Sequence, residues 1–369
     1  MLNKAKKFLS QFLPLPYRRA MEQNREILSK LSSLDKRLNR LETKLLNCGT
    51  GGGNYHYPQN RQNYRLYCSP PEMKKFREVS SKFMKRDDFE KHYLALISGL
   101  DDKSRKLVHR IWHRIDLISK TKEDEPIDLF TPEEQESIEV QAQLRQSVLK
   151  ISDNAFSMGE FLLPINHFDM SVFYDRHGID LVSNQEQYKN KHIIDAGAYI
   201  GDSLLLFSKW TQKQVHCFEA LTKHYELLQK TIQMNNIKNA VTIKAALGEK
   251  QGRLKFADQG NASRFTNQSA GENIEEVDVI TLDDYVKQNN IEVGLIKVDI
   301  EGAEQLFLQG AKETIISQKP ILIISIYHGV EDFFKIKPMI EAWNLGYRFK
   351  IHKMNCSTVH WETILIAEV

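Results

Sequence analysis

Apolar residues return along the first part of this chain at Ile27, Leu31, Leu34, Leu38, Leu41 and Leu45, with Lys, Arg, Glu and Ser between them. Spacings of four and three trace one seam on a helix, the a/d pattern of a coiled coil. The pattern predicts self-association through residues 27–45; a single amphipathic helix packed on its own body is the alternative. Ahead of it, Leu2, Ala5, Phe8, Leu9, Phe12 and Leu13 share a helical face, and Lys4, Lys7 and Gln11 fall on another. Such a face suits peripheral membrane contact through residues 1–19, or equally a short helix capping a partner.

The seam ends in CGTGGGNYHYPQNRQNY, and residues 48–69 are expected to be a linker. A phosphate loop is excluded there, because no strand precedes the glycines and no Gly-Lys-Ser/Thr opens a helix after them. Residues 70–150 then read as a charged helical spacer with one apolar stripe, Leu107, Val108, Ile111, Ile115 and Ile118. TPEE at 131–134 marks a helix start, with Thr131 as N-cap and Glu134 closing a capping box, and predicts a helix to about Ile151.

Beyond 151 the period changes. FLLPI and MSVFY look β-like. After them strands at HIID, VHCFE, AVTIKAAL, GLIKVD, PILIISIY, YRFKIH and ETILIAEV alternate with helices to Trp210, over 221–234, at LDDYVKQ, over 303–317 and near 332–344. LKFA and VDVITL are further extended pieces. Alternating strands and helices predict a doubly wound α/β sheet over 151–369, with ligands at the carboxyl ends of its strands.

Charge is uneven. Residues 1–47 hold eleven Lys/Arg against four Asp/Glu, although the whole chain is only +3. A basic end on a mildly acidic body points to an anionic partner for the N-terminus and against nucleic acid for the rest. The four cysteines, Cys48, Cys68, Cys217 and Cys356, show no metal-ligand spacing, and Cys217 sits in a strand as a core residue. They suit a reducing cytoplasm. No apolar run is long enough to span a membrane, and the start has no signal-peptide cleavage site.

Chemistry concentrates at the ends of the predicted strands. In IIDAGAYIGDS, Gly197 and Gly201 permit a tight turn that brings a ligand to a helix N-terminus. The dinucleotide fingerprint G-x-G-x-x-G is not met, and Asp195 beside the turn would repel a pyrophosphate and suit a cationic ligand instead. Glu219 ends the next strand, where a carboxylate can accept ribose hydroxyls, with Phe218 as a flank or a core residue. The candidate cofactor set is Asp195, Gly197, Tyr199, Gly201, Asp202, Ser203, Phe218 and Glu219. GLIKVDIEGAEQLFLQGA delivers Lys297, Asp299 and Glu301 to the same end, with Glu304 one turn on as a helix-dipole charge. ISIYHGVEDF adds Tyr327 and His328. Asp299, Glu301 and His328 are the catalytic candidates, His328 as a base near neutral pH and Asp299 as an orienting group. Two carboxylates and a histidine permit a divalent cation without requiring one, and none is assigned. Asp283 and Asp284 in TLDDY are expected to cap a helix.

These five stretches, with the closing ETILIAEV, resemble the FkbM family of S-adenosylmethionine-dependent methyltransferases over about 190–369. The resemblance implies a class I methyltransferase (Rossmann-like) sheet of seven strands, the last antiparallel. It further implies S-adenosyl-L-methionine as methyl donor and methylation of a hydroxyl oxygen on a sugar, glycan precursor or polyketide-type molecule. Ala220 stands where the family usually has proline after Phe-Glu. The expectation is a cytoplasmic O-methyltransferase, at the inner membrane face if its N-terminus docks there. The rival is a coiled-coil scaffold with an inactive methyltransferase fold.

Overall fold

In the computed structural model the described residues are 65–66, 71–120, 127–128, 130–257, 264–265, 274–354 and 358–369. All of them lie in one compact unit, Tyr64–Val369. The coiled coil at 27–45, the membrane-contact segment 1–19, Cys48, Cys68 and Cys356 fall outside the described residues, as does the linker apart from a strand at Arg65–Leu66.

Helices α1 (Pro71–Met84), α2 (Phe89–Ile97), α3 (Asp102–Lys120) and α4 (Pro132–Gln146) come first. The core unit then runs β1 (His192–Ala196), α5 (Asp202–Trp210), β2 (Val215–Phe218), α6 (Thr222–Met234), β3 (Ala240–Ile243) and α7 (Leu282–Asn289). It continues with β4 (Val293–Val298), α8 (Glu304–Gly310), α9 (Lys312–Gln318), β5 (Ile321–Ser325), α10 (Val330–Glu341), β6 (Arg348–Lys353) and β7 (Thr363–Glu368). The sheet order is β6-β7-β5-β4-β1-β2-β3, with only β7 antiparallel to its neighbours, as the sequence resemblance implied. Strand order reverses at β1: the chain moves outward to β2 and β3, then returns to β4 on the other side. That reversal opens a crevice at the carboxyl ends of β1 and β4, the usual ligand position in such sheets.

Central strands covered on both faces read as continuous apolar runs. Ile194, Ala196, Ile296, Val298, Leu322 and Ile324 join one buried cluster with α8 to α10, while the residues between them face the opposite layer. Two charges interrupt these runs, Asp195 in β1 and Lys297 in β4, and they are direct cross-strand partners.

The segment expected as a spacer is part of this core. Phe83 stacks on Phe334 at 4.9 Å, Trp112 lies against Phe333 and Phe334, and Val108, Ile111, Ile115 and Ile118 are buried with them. Fully burying one such side chain is worth about 1.5–3 kcal/mol, so the apolar stripe binds α3 to the body. Ser104 of α3 also reaches the exposed edge of β6: its Oγ accepts from Ile351 N at 2.9 Å and donates to Ile351 O at 3.4 Å. A helix thus covers the hydrogen-bonding groups of an edge strand.

Other boundaries moved for local reasons. The Thr131–Glu134 capping box forms as expected, and Glu134 is further held by buried Arg114. The helix it starts ends at Gln146, because residues from Leu149 pair in a hairpin, Leu149–Ser152 with Ala155–Met158. MSVFY is a short helix, Met170–Phe173, whose N–H groups are met by Asp169. AVTIKAAL divides: Ala246–Leu247 leaves the main sheet to pair with Ile274–Ile280, which also pairs with Gly252–Ala257. The helix predicted over 303–317 breaks at Ala311. A Cβ on Gly310 would lie 2.0 Å from Gly248 O, and Asp283 accepts from Glu313 N and Thr314 N at the restart. Asp283 therefore caps α9, and Thr281 caps its own helix α7. Cys217 is a free buried thiol. Among the described residues no helix is long and apolar enough to cross a membrane.

Candidate active site

At the end of β1, Gly197 has φ +79°, and a Cβ there would sit 1.9 Å from Asp299 O. Only glycine lets β1 and β4 close on each other at this point. Gly201, φ +83°, then enters α5 as its N-cap. Between them Tyr199 holds φ +46°, a region sparsely used by bulky residues, and donates its backbone N–H to Glu219 Oε2 at 3.0 Å.

Asp195 has a counter-charge within the sheet that the sequence did not suggest. It is fully buried, and Lys297 Nζ lies 3.1 Å from its Oδ1 and donates to Gly197 O at 2.7 Å. Burial pushes the Asp195 carboxyl up to about 6, with Lys297 opposing, so it is ionised at neutral pH. Burial also works against the Lys297 ammonium, yet Asp195, Asp299 and Asp202 hold it above its ordinary value. The cation expected from outside is supplied by the next strand. Two further candidates turn inward. Ser203 Oγ lies 2.9 Å from buried His177 Nε2, and Phe218 packs edge-on against Tyr285. Burial, assisted by Lys297, drives His177 down to about 3, so that ring is neutral.

Glu219 and Asp202 are buried at the end of β2 and the start of α5. Glu219 Oε1 accepts from Leu221 N at 2.9 Å and lies 3.7 Å from His224 Nδ1, and Oε2 accepts from Tyr199 N, which fixes the carboxylate at the β2 end. Asp202 opens α5, accepts from Ser203 N at 2.9 Å, and is raised by burial, against the pull of His167 and Lys297.

The second half of the site lies at the ends of β4 and β5, which pair in parallel and so bring their motifs together. The strand stops at Val298; Glu301 (φ +58°) and Gly302 (φ +98°) turn the chain, and that turn, rather than strand alternation, sets Asp299 and Glu301 on one side. Both face His328 Nε2, Asp299 Oδ1 at 3.4 Å and Glu301 Oε2 at 3.6 Å. On the ring's other edge His328 Nδ1 meets Glu304 Oε1 at 2.9 Å, and the same oxygen accepts from Ile300 N at 3.0 Å. Tyr327 OH lies 3.1 Å from Glu362 Oε1 and 3.4 Å from Asp299 Oδ1.

The three catalytic candidates are thus gathered, but His328 is not poised as a base. Burial alone would lower it, yet Glu304 above all, with Asp299 and Glu301, raises it to about 10. At neutral pH the ring is an imidazolium. The sequence reading placed Lys297 and Glu304 here without their partners and did not name Glu362. Glu304, expected as a helix-dipole charge, is fully buried. Lys297 stood in plain view in an apolar strand, which was the available signal. Glu362 comes from the turn before β7 and carried no motif.

Sheet order and site together define a methyltransferase-type α/β protein. Residues 195–349 match the family model for the methyltransferase FkbM domain. "Methyltransferase 1" of Beauveria bassiana (strain ARSEF 2860) is 26% identical over 176 residues, 41% of this chain and 70% of that protein. The crystal structure of methyltransferase FkbM from Methylobacillus flagellatus KT superposes with a TM-score of 0.51 at 19% identity, over 78% of this chain and 62% of its own. At that identity the likeness speaks for the fold.

Proposed function

We propose that the chain is an S-adenosylmethionine-dependent O-methyltransferase acting on a hydroxyl of a sugar, glycan or glycan precursor. The observation that carries this reading is the corner at β4 and β5. There two half-exposed carboxylates, Asp299 and Glu301, flank a buried imidazolium at the ligand end of a methyltransferase-type sheet. The donor set fits S-adenosylmethionine by its chemistry. Glu219 retains acceptor capacity for a vicinal diol, Asp202 is an acid suited to an ammonium, and the Gly197–Gly201 turn leads to a helix start.

When bound, that donor supplies an electrophilic methyl group. The protein's own part is to hold the acceptor in line, which is worth ~7–11 kcal/mol when the geometry is right. It must also take the hydroxyl proton. Asp299 or Glu301 takes it, because the His328 ring already carries one; His328 and Tyr327 orient the Asp299 carboxylate. Several carboxylates around one site suit a polyhydroxylated acceptor, which agrees with the sugar substrates the family resemblance implies.

Calorimetric titration of the full chain with S-adenosylmethionine should show binding; no heat at millimolar donor would leave the scaffold reading standing. With methyl transfer followed on a panel of sugars and sugar nucleotides, Asp299→Asn should lower turnover on the order of 10²-fold or more at unchanged donor affinity. Equal turnover would remove Asp299 from the proton path. The proposal includes self-association through residues 27–45 and membrane-face contact through 1–19. Deleting 1–47 should lower both the mass in light scattering and sedimentation with anionic vesicles.

A further inference from the structure

We infer that the corner formed by Asp299, Glu301, Glu304 and His328 is a binding site for one divalent cation. Ligand atoms of Asp299, Glu304 and His328 all lie within 4.8 Å of one another. Acidic groups cluster on many surfaces without meaning, but this cluster is built differently. The His328 side chain is only 8% exposed, and among the described residues its Nε2 has no hydrogen-bond partner. That nitrogen is aimed at Asp299 Oδ1 and Glu301 Oε2, 3.4 and 3.6 Å away. Glu304, fully buried, holds the opposite ring nitrogen at 2.9 Å and is itself fixed by Ile300 N.

This is the arrangement by which proteins present an imidazole to a metal. The cation displaces the Nε2 proton to solvent, and the carboxylate on Nδ1 then sets the tautomer and orientation that let Nε2 ligate. Spacings of 3.4 and 3.6 Å also suit the purpose. They are about what two ligands show when each is ~2.0–2.2 Å from a shared ion. Charge agrees: three carboxylates surround one buried ring, so even an imidazolium leaves two negative charges unmatched. A mixed set of imidazole and carboxylate favours Mn²⁺ or Zn²⁺ over the purely oxygen-ligated ions. His328 Nε2, Asp299 and Glu301 are the ligands, and Glu304 is a positioning residue. The assignment stands on this geometry. Only the cation's place beside the acceptor hydroxyl rests on the methyltransferase reading.

The test uses the full chain, treated with chelator, exchanged, and titrated with MnCl₂ by calorimetry and electron paramagnetic resonance. One Mn²⁺ per chain should bind, with an imidazole nitrogen coupled to the electron spin. His328→Ala should abolish that coupling, Asp299→Asn should weaken binding at least tenfold, and Glu304→Gln should weaken it ~10–100-fold. Circular dichroism establishes that each variant is folded. Absence of Mn²⁺ binding, absence of nitrogen coupling in the wild type, or equal affinity in the folded variants would overturn the site. If His328→Ala does not fold, the wild-type coupling and Asp299→Asn still decide. S-adenosylmethionine titrated into the same sample separates the two readings. Donor binding without Mn²⁺ sinks the cation alone, and Mn²⁺ binding without donor sinks the methyltransferase reading alone.

Discussion

Two buried charge groups sit a few residues apart at the ligand end of this sheet, and they are built on opposite terms. At β1 one carboxylate meets one ammonium: Asp195 and Lys297 are cross-strand partners 3.1 Å apart, both nearly inaccessible. At the ends of β4 and β5, three carboxylates meet one imidazole whose side chain is 8% exposed, and two of them, Asp299 and Glu301, are a quarter or more exposed. The first group is closed and its charges are matched. The second is open on one side and carries surplus negative charge, so it can take a proton, a hydroxyl or a cation. Acidic residues at strand ends are thus no guide to chemistry until their counter-charges are known.

Breaking the matched pair should have the largest effect. Lys297→Met leaves Asp195 as an uncompensated buried charge and should cost about 3–5 kcal/mol in urea unfolding. Asp195→Asn with Lys297→Met should recover much of that loss. If Lys297→Met is silent and Asp195→Asn instead removes donor binding, Asp195 is a ligand after all and the contrast between the two groups disappears.

The unmatched group should show itself through pH. In chelator-treated protein the folded-state value of His328, about 10, lies above the ordinary histidine value near 6.5. A raised value means the charged ring is favoured by folding. Its contribution is therefore complete below about pH 6.5 and is lost as pH rises toward 10. His328→Gln should be less stable than wild type by about 2 kcal/mol near neutrality, the value of a charge-assisted hydrogen bond. The gap should close as pH approaches 10 in thermal unfolding; a gap that does not change with pH would mean the ring is neutral in the folded protein.

A smaller effect tests whether the N-terminal helices belong with the sheet or merely lie beside it. Ser104→Ala removes both contacts to the β6 edge and should cost about 1 kcal/mol. It should also speed amide exchange at Ile351, and unchanged exchange there would mean the edge is protected by something other than α3.

Much of the fold was legible because period and punctuation are local. The βα alternation, the capping box at Thr131 and Glu134, and the apolar stripe of α3 all follow from spacings within a turn or two of chain. Boundaries went astray where a distant contact overruled local preference. The predicted single helix over 303–317 breaks because Gly310 meets Gly248, and AVTIKAAL divides because Ala246–Leu247 finds a partner in Ile274–Ile280. The packing of α3 on the body has the same origin: an apolar stripe says that a face will be buried, but not against what.

For the site, the sequence by itself determined which residue types reach the strand ends. Glycines must sit where the chain turns back, and carboxylates stand out in apolar runs. Hence Gly197, Glu219, Asp299 and His328 could be named from spacing alone. Only the tertiary structure decided what each charge faces. Register placed Lys297 opposite Asp195 and cancelled it, while the parallel pairing of β4 with β5 set Glu304 against His328 and turned an expected base into a cation. Electrostatic energy depends on distances of a few ångströms between groups far apart in sequence, and those distances do not exist until the sheet is assembled.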